Sequence, residues 1–429
     1  MPDGMDSLML SRCCWLRTLT CFALSSLLSH QSLADESPLP SVTFEPAIRA
    51  AEMRPHIEFL AEPKRGGRAG AAKEEARRYI IERFTAANLK PLFRELPRAA
   101  KDADAVNGQE AANGTGAAEA SYLQPIPGAV TPDGVPNMGF NVGAWLPGSD
   151  PKLADEFLIV SAHYDHLGVH DGQVFAGADD NASGVAMLLE VARQFGAAEI
   201  KPKRSIVFVA FDLEEHLLWG SRWFAAHPPW PIEQVKLFIT ADMIGRSLGD
   251  LPLPTVFLLG SEHAVELKAA LDAVGSPPKL DVCRLGTDLI GTRSDYGPFR
   301  DREIPFLFFS TGEHPDYHTP RDTADTIDYE KAARSASLIL KLTRHVADAD
   351  QPPVWTAAAT GDLDEPRALL RITTLLLEAE KQKPLTSTQR FLVTNVRNRT
   401  RQILKAETMS VDDRTWLIRM AQLLMLSVF

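Results

Sequence analysis

The chain has 429 residues, 45% of them hydrophobic and 24% charged, a balance that supports at least one large core and excludes global disorder. Its net charge of -11 repels a phosphate backbone, and no basic run carries interleaved aromatics, so nucleic acid is excluded as a partner.

At the N-terminus Arg12 and Arg17 precede the apolar stretch CFALSSLL, and small residues end at Ala34 in SLA. This pattern predicts a signal peptide over residues 1–34, a mature chain from Asp35, and a secreted or periplasmic location. Asp3 and Asp6 are unusual ahead of such a segment and leave Met5 or Met9 as alternative starts. The rival reading is a membrane anchor, but the apolar run falls short of the roughly 20 residues a span needs. Three of the four cysteines, Cys13, Cys14 and Cys21, lie in this segment. Cleavage would leave Cys283 alone, as a packing residue, and no intrachain disulfide.

Helical periodicity marks AIRAAEMRPHIEFLAE and KEEARRYIIERFTAANL, separated by a glycine-rich break at KRGGRAG. Lys101–Ser121 has few large apolar residues and reads as a loop. Short apolar runs follow, EFLIVSA, SIVFVAF, KLFITA, TVFLLG and IPFLFFS, with helical patterns such as GVAMLLEVARQF and AVELKAALDAV between several of them. The alternation predicts an α/β fold: a mostly parallel mixed sheet with helices on both faces, over residues 35–350. Residues 351–429 read as a helical extension, free to pack on the main domain or on a partner.

Ligands of open α/β sheets bind at the carboxyl ends of the strands. Here His163 and Asp165 follow the first apolar run in HYDHLG, Glu214 and Glu215 the second in DLEE, and Asp242 the third in ADMIGR. His318 follows the last in PDYHTPRDT, and Asp179 and Asp180 occupy the turn GADDNASG before a helix. Each has an ordinary explanation by itself: a polar strand end, first-turn acids favoured by a helix dipole, an Asp-rich turn. Together at one sheet edge so many acids would repel one another unless cations joined them. Imidazole and carboxylate donors without thiolates suit Zn²⁺, and a bridging carboxylate suits two metals.

AHYDHLG, GADDNASG, FVAFDLEE, ADMIGR and DYHTPRDT, in this order, resemble the double-zinc exopeptidases, metallopeptidase family 28, which includes bacterial secreted aminopeptidases and glutamate carboxypeptidase II. The resemblance runs from about Ala47 to His345. It implies two zinc ions per chain, one with His163 and Asp242, the other with Glu215 and His318, and Asp180 as the bridge. It further implies Asp165 as the residue orienting His163, Glu214 as general base, a cis peptide bond from Asp180 to Asn181, and hydrolysis of peptides by a zinc-bridged water. Many relatives have a histidine at Tyr296 and a glycine at His216, so the substrate pocket near these two is expected to differ. His166, His170 and His314 are left as loop residues or supports of ligands. The implied activity is that of an aminopeptidase; a glutaminyl cyclase-like transferase, a carboxypeptidase and a non-catalytic receptor-like scaffold are the alternatives. Nothing in the sequence sets the preferred side chain or the oligomeric state.

Overall fold

The computed structural model describes residues 44–94, 120–127, 139–358 and 361–428. The signal peptide expected over 1–34, with its three cysteines, and residues 101–119 of the expected loop lie outside them. The last two loop residues, Ala120–Ser121, instead pair antiparallel with Phe93–Arg94.

Seven longer strands build the sheet: β1 (Gly139–Leu146), β2 (Phe157–His163), β3 (Ser205–Phe211), β4 (Val235–Ala241), β5 (Thr255–Leu259), β6 (Asp281–Leu285) and β7 (Phe306–Ser310). Their spatial order is β1-β3-β2-β4-β7-β5-β6, and the short strands Lys90–Pro91 and Leu123–Ile126 flank β1. The four central strands β3, β2, β4 and β7 are mutually parallel, while β1 and β5 run antiparallel to their neighbours β3 and β7. A mixed sheet, parallel in its centre, is therefore the frame. Every residue of β2 and β3 is buried, which is why these strands read as unbroken apolar runs.

The pleat divides the strand side chains between two cores. On one face Leu158, Val160, Phe208, Ile239 and Phe309 meet α1 (Ala50–Leu60), α2 (Lys73–Ala86) and α3 (Gly184–Ala197). On the other Ile159, Val207, Phe211, Phe238 and Phe308 meet α4 (Trp219–Ala226). Further along the chain α5 (Val265–Val274) and α7 (Tyr329–Asp348) join the first core, and the four-residue α6 (Gly297–Arg300) joins the second. The C-terminal helices α8 (Asp364–Ala379), α9 (Ser387–Ala406) and α10 (Val411–Val428) extend the second core through Leu369, Leu376, Val393, Val396 and Leu417. Arg414 of α10 adds ion pairs to Asp288 at 2.6 Å and Glu365 at 3.1 Å. No helix among the described residues is long and apolar enough to cross a membrane.

Candidate metal centre

Because β3, β2, β4 and β7 are parallel neighbours, their carboxyl ends lie along one edge. His163 is the last residue of β2, Asp242 follows β4 directly, Glu214 and Glu215 follow β3, and the loop after β7 carries His318. A helix dipole does not account for the glutamates: α4 begins only at Trp219, after left-handed backbone at Leu213, Leu217 and Leu218.

GADDNASG forms a tight turn over Ala178–Ser183 with a cis peptide bond between Asp180 and Asn181. Its glycines have specific reasons. Gly177 has φ +58°, and a Cβ there would stand 2.1 Å from the Asp180 carbonyl and 2.5 Å from the His166 ring. A Cβ on Gly184 would stand 2.3 Å from Asn181 Oδ1, which accepts the Gly184 N–H at 2.9 Å. Asn181 Nδ2 donates to the Ala241 carbonyl at 2.9 Å, tying the turn to the end of β4.

Two residues that the sequence reading did not single out hold this turn. Arg68, in the stretch read as a glycine-rich break, is fully buried. Its Nε donates to Tyr164 O at 2.8 Å, Nη1 to Leu60 O and Ala176 O at 3.1 and 2.6 Å, and Nη2 to Gly177 O and Asp180 O at 2.8 and 3.2 Å. Asp322, buried four residues beyond His318, accepts the Asp179 N–H at 2.9 Å and the Asp180 N–H at 3.0 Å. A cation thus meets the turn's carbonyls and an anion its amides, each sign matched to the local dipoles.

The five predicted ligands converge. Asp180 presents Oδ1 to His163 Nε2 at 3.3 Å and Oδ2 to His318 Nε2 at 3.1 Å, one oxygen to each side. Beyond His163 lies Asp242 Oδ1, 3.4 Å from the same Nε2; beyond His318 lies Glu215 Oε2 at 3.2 Å. His318 Nε2 has hydrogen-bond geometry with neither carboxylate, so it faces the gap between them. His163 Nδ1 is 3.3 Å from the main-chain oxygen of Asp165 and 3.7 Å from its carboxylate. The carbonyl is therefore the closer acceptor, and it leaves Nε2 as the atom turned towards Asp180 and Asp242. The Asp165 carboxylate accepts the Glu214 N–H at 3.1 Å, so one residue fixes both His163 and the loop of Glu214.

The acids differ in protonation. Asp179 is pushed up to about 8 by burial and by nearby Asp322, which makes it a neutral carboxyl at pH 7. Its Oδ1 accepts the Gly245 N–H at 2.6 Å. Burial works against Asp180 too, but the imidazoles of His166, His163 and His318 hold it well below the ordinary range. One member of the adjacent pair is thus charged and the other not, which removes their repulsion. Burial pushes Glu214 well above the usual glutamate value, and the Asp242, Asp295 and Glu215 charges add to this against His163. His318 would be lowered by burial, yet Asp180 and Glu215 raise it to about 10. Protons on imidazoles thus offset the acids here, the charge a divalent cation would supply. Two imidazole nitrogens and oxygens from three carboxylates, with no sulfur, match the donor chemistry of zinc.

Other expectations resolve differently. Tyr296 is fully buried, lies 5.0 Å from the Phe306 ring in a stack, and bonds through its hydroxyl to Gly291 O and Arg293 N. His216 is exposed, and His170 bonds Leu167 O on a surface hairpin. His314 is buried with Nε2 3.6 Å from Asp179 Oδ2, and burial pushes it down to about 4. His166 and Asp295 emerge as buried members of the cluster.

A mixed α/β sheet bearing a His/Asp/Glu cluster along the carboxyl edge of its parallel strands defines a zinc-exopeptidase-type domain. Residues 141–343 match the model of peptidase family M28. It is similar to endoplasmic reticulum metallopeptidase 1 of Mus musculus, 27% identical over 46% of this chain and 21% of that protein. It is also similar to aminopeptidase YwaD of Bacillus subtilis (strain 168), 26% identical over 46% of this chain and 43% of that one. The chain thus spans about a fifth of the first relative and less than half of the second. Among solved structures, Porphyromonas gingivalis glutaminyl cyclase shares the fold, with a TM-score of 0.53 at 19% identity over 70% of this chain and 99% of that one.

Proposed function

We propose that this protein is a zinc-dependent exopeptidase and, more specifically, an aminopeptidase with two metals per chain. The observation that carries the proposal is the division of the Asp180 carboxylate, one oxygen towards His163 and the other towards His318, with Asp242 and Glu215 completing the two sides. Asp180 would bridge, His163 and Asp242 would hold one ion, and Glu215 and His318 the other. Zinc held there supplies Lewis acidity towards a scissile carbonyl and acidifies water. Glu214 would accept the water's proton and return it to the leaving amine nitrogen. Its carboxylate makes no ion pair or hydrogen bond with another described residue, and it lies within 4.8 Å of His163 and Asp242 ligand atoms. Asp165 would hold His163 in its working tautomer through the adjacent carbonyl and keep Glu214 in place through its N–H. The catalytic part would be residues 35–350, with 351–429 as a helical extension. Export would follow from the pattern ending at Ala34, tested by N-terminal sequencing of secreted protein, which should begin near Asp35.

The deciding experiment is Glu214→Gln, with metal content and turnover measured on one preparation. The variant should retain about two zinc ions and lose about 10²-fold or more in kcat. Unchanged turnover removes Glu214 as the base; loss of metal with activity makes it a ligand instead. Peptides with free and acetylated amino termini test the aminopeptidase reading, which requires the free amine. Release of C-terminal residues would identify a carboxypeptidase, and cyclised product from N-terminal glutamine a transferase.

A further inference from the structure

Resting on the dinuclear reading above, we infer that His166 is a positioning residue for Glu215: its ring nitrogen holds one carboxylate oxygen and thereby turns the other towards the metal on the His318 side. The histidine is 2% exposed, and its Nδ1 lies 2.8 Å from Glu215 Oε1. Oε2, the other oxygen of the same carboxylate, lies 3.2 Å from His318 Nε2. The two oxygens thus have different partners. A carboxylate oxygen accepts, so at this distance the ring nitrogen is the donor. Nδ1 therefore carries the proton and is not free to donate a lone pair to a cation. The 3.7 Å separation from Asp180 Oδ2, against 2.8 Å from Glu215, points the same way.

The ring is fixed independently of Glu215. The His166 backbone N–H donates to Arg68 O at 3.1 Å. One edge of the ring fills the space left by Gly177, where a Cβ would approach Cδ2 and Cγ to 2.5 and 2.6 Å. Nε2 is buried without a hydrogen-bond partner among the described residues. An imidazole held by its own backbone and by a missing side chain can impose an orientation on a ligand rather than follow it. Supports of this kind change metal affinity by about 10- to 100-fold.

The test uses zinc titration of the metal-free full chain against a chromogenic chelator, resolving two affinities. His318→Ala and Asp242→Ala assign each affinity to its side. His166→Ala should weaken the His318-side site about 10-fold or more and leave the other within about twofold. In the His318→Ala background the same substitution should have no further effect. His166→Asn, whose amide nitrogen can stand where Nδ1 stands, should restore most of the loss. Equal weakening of both sites, persistence of the effect without His318, or failure of a folded Asn variant to rescue would overturn the inference. X-ray absorption showing one fewer coordinated imidazole in zinc-loaded His166→Ala would make His166 a ligand and likewise overturn it. A wild-type chain that binds a single zinc would defeat the dinuclear reading itself. Two unchanged sites in His166→Ala would defeat this inference alone.

Discussion

Substituting Arg68 by lysine keeps the charge and removes the fork. The guanidinium has five N–H donors, and all five meet a main-chain carbonyl: those of Leu60, Tyr164, Ala176, Gly177 and Asp180. A lysine ammonium has three, so at least two buried carbonyls lose their donor even with ideal placement. An orphaned buried acceptor costs about 1–3 kcal/mol, so Arg68→Lys should destabilise the fold by about 2–6 kcal/mol. For a domain of about 400 residues this corresponds to a fall in Tm of roughly 2–7 °C. Because Gly177 and Asp180 belong to the bridging turn, zinc affinity should fall as well. Urea denaturation of the metal-free protein reads the first quantity and chelator competition the second. A lysine variant within about 0.5 kcal/mol of wild type would refute the donor-matching argument.

Adding zinc to the metal-free chain should stabilise it by about 4 kcal/mol at a thousandfold excess over the dissociation constant, read as a rise in Tm that chelator reverses. Asp322→Asn should weaken both zinc sites together, because it sets an NH₂ donor where the second carboxylate oxygen accepts the Asp179 N–H; unaltered titration would reject that role. Burial pushes the Cys283 thiol up to about 12, so it should resist alkylation at pH 8 until the protein is unfolded. The native state keeps this proton after the unfolded chain, with a thiol value near 9, has lost it, so stability falls as pH rises above 9. Cys283→Ala should lose about 1 kcal/mol less than wild type between pH 9 and 10 in denaturant titrations.

The central strands were legible because burial on both faces writes them as unbroken apolar runs, and α3, α8, α9 and α10 because their apolar stripes are long. β1 contains Gly139, Asn141 and Gly143 and gives no such run; β6 is five residues with Arg284 among them. The helix α7 lines the first core largely with Ala332, Ala333, Ser335, Ala336 and Ser337, residues that do not stand out as an apolar stripe. His163, Glu215, Asp242 and His318 were legible as groups that follow strands and Asp180 as one acid of a turn, while the resemblance of the five motifs singled them out as ligands. Supports such as Arg68 and Asp322 were not legible, because their partners lie up to 143 residues away. A buried arginine and a surface arginine look alike in a sequence.

The shared edge of β3, β2, β4 and β7 has a consequence for the order of assembly. His163 sits opposite Phe211 across one strand pair, and Ala241, just before Asp242, sits opposite Phe309 across another. Sliding any of these strands by one residue would displace its terminal group by about 3.3 Å and turn it to the other face. Zinc coordination tolerates deviations of about 0.2 Å. A complete donor set therefore exists only after three neighbouring strand registers have been chosen correctly, with segments more than 150 residues apart brought side by side. In a small zinc finger the cation recruits a floppy peptide. Here it would arrive as an inspector of finished work, and a misregistered sheet would be unable to retain it.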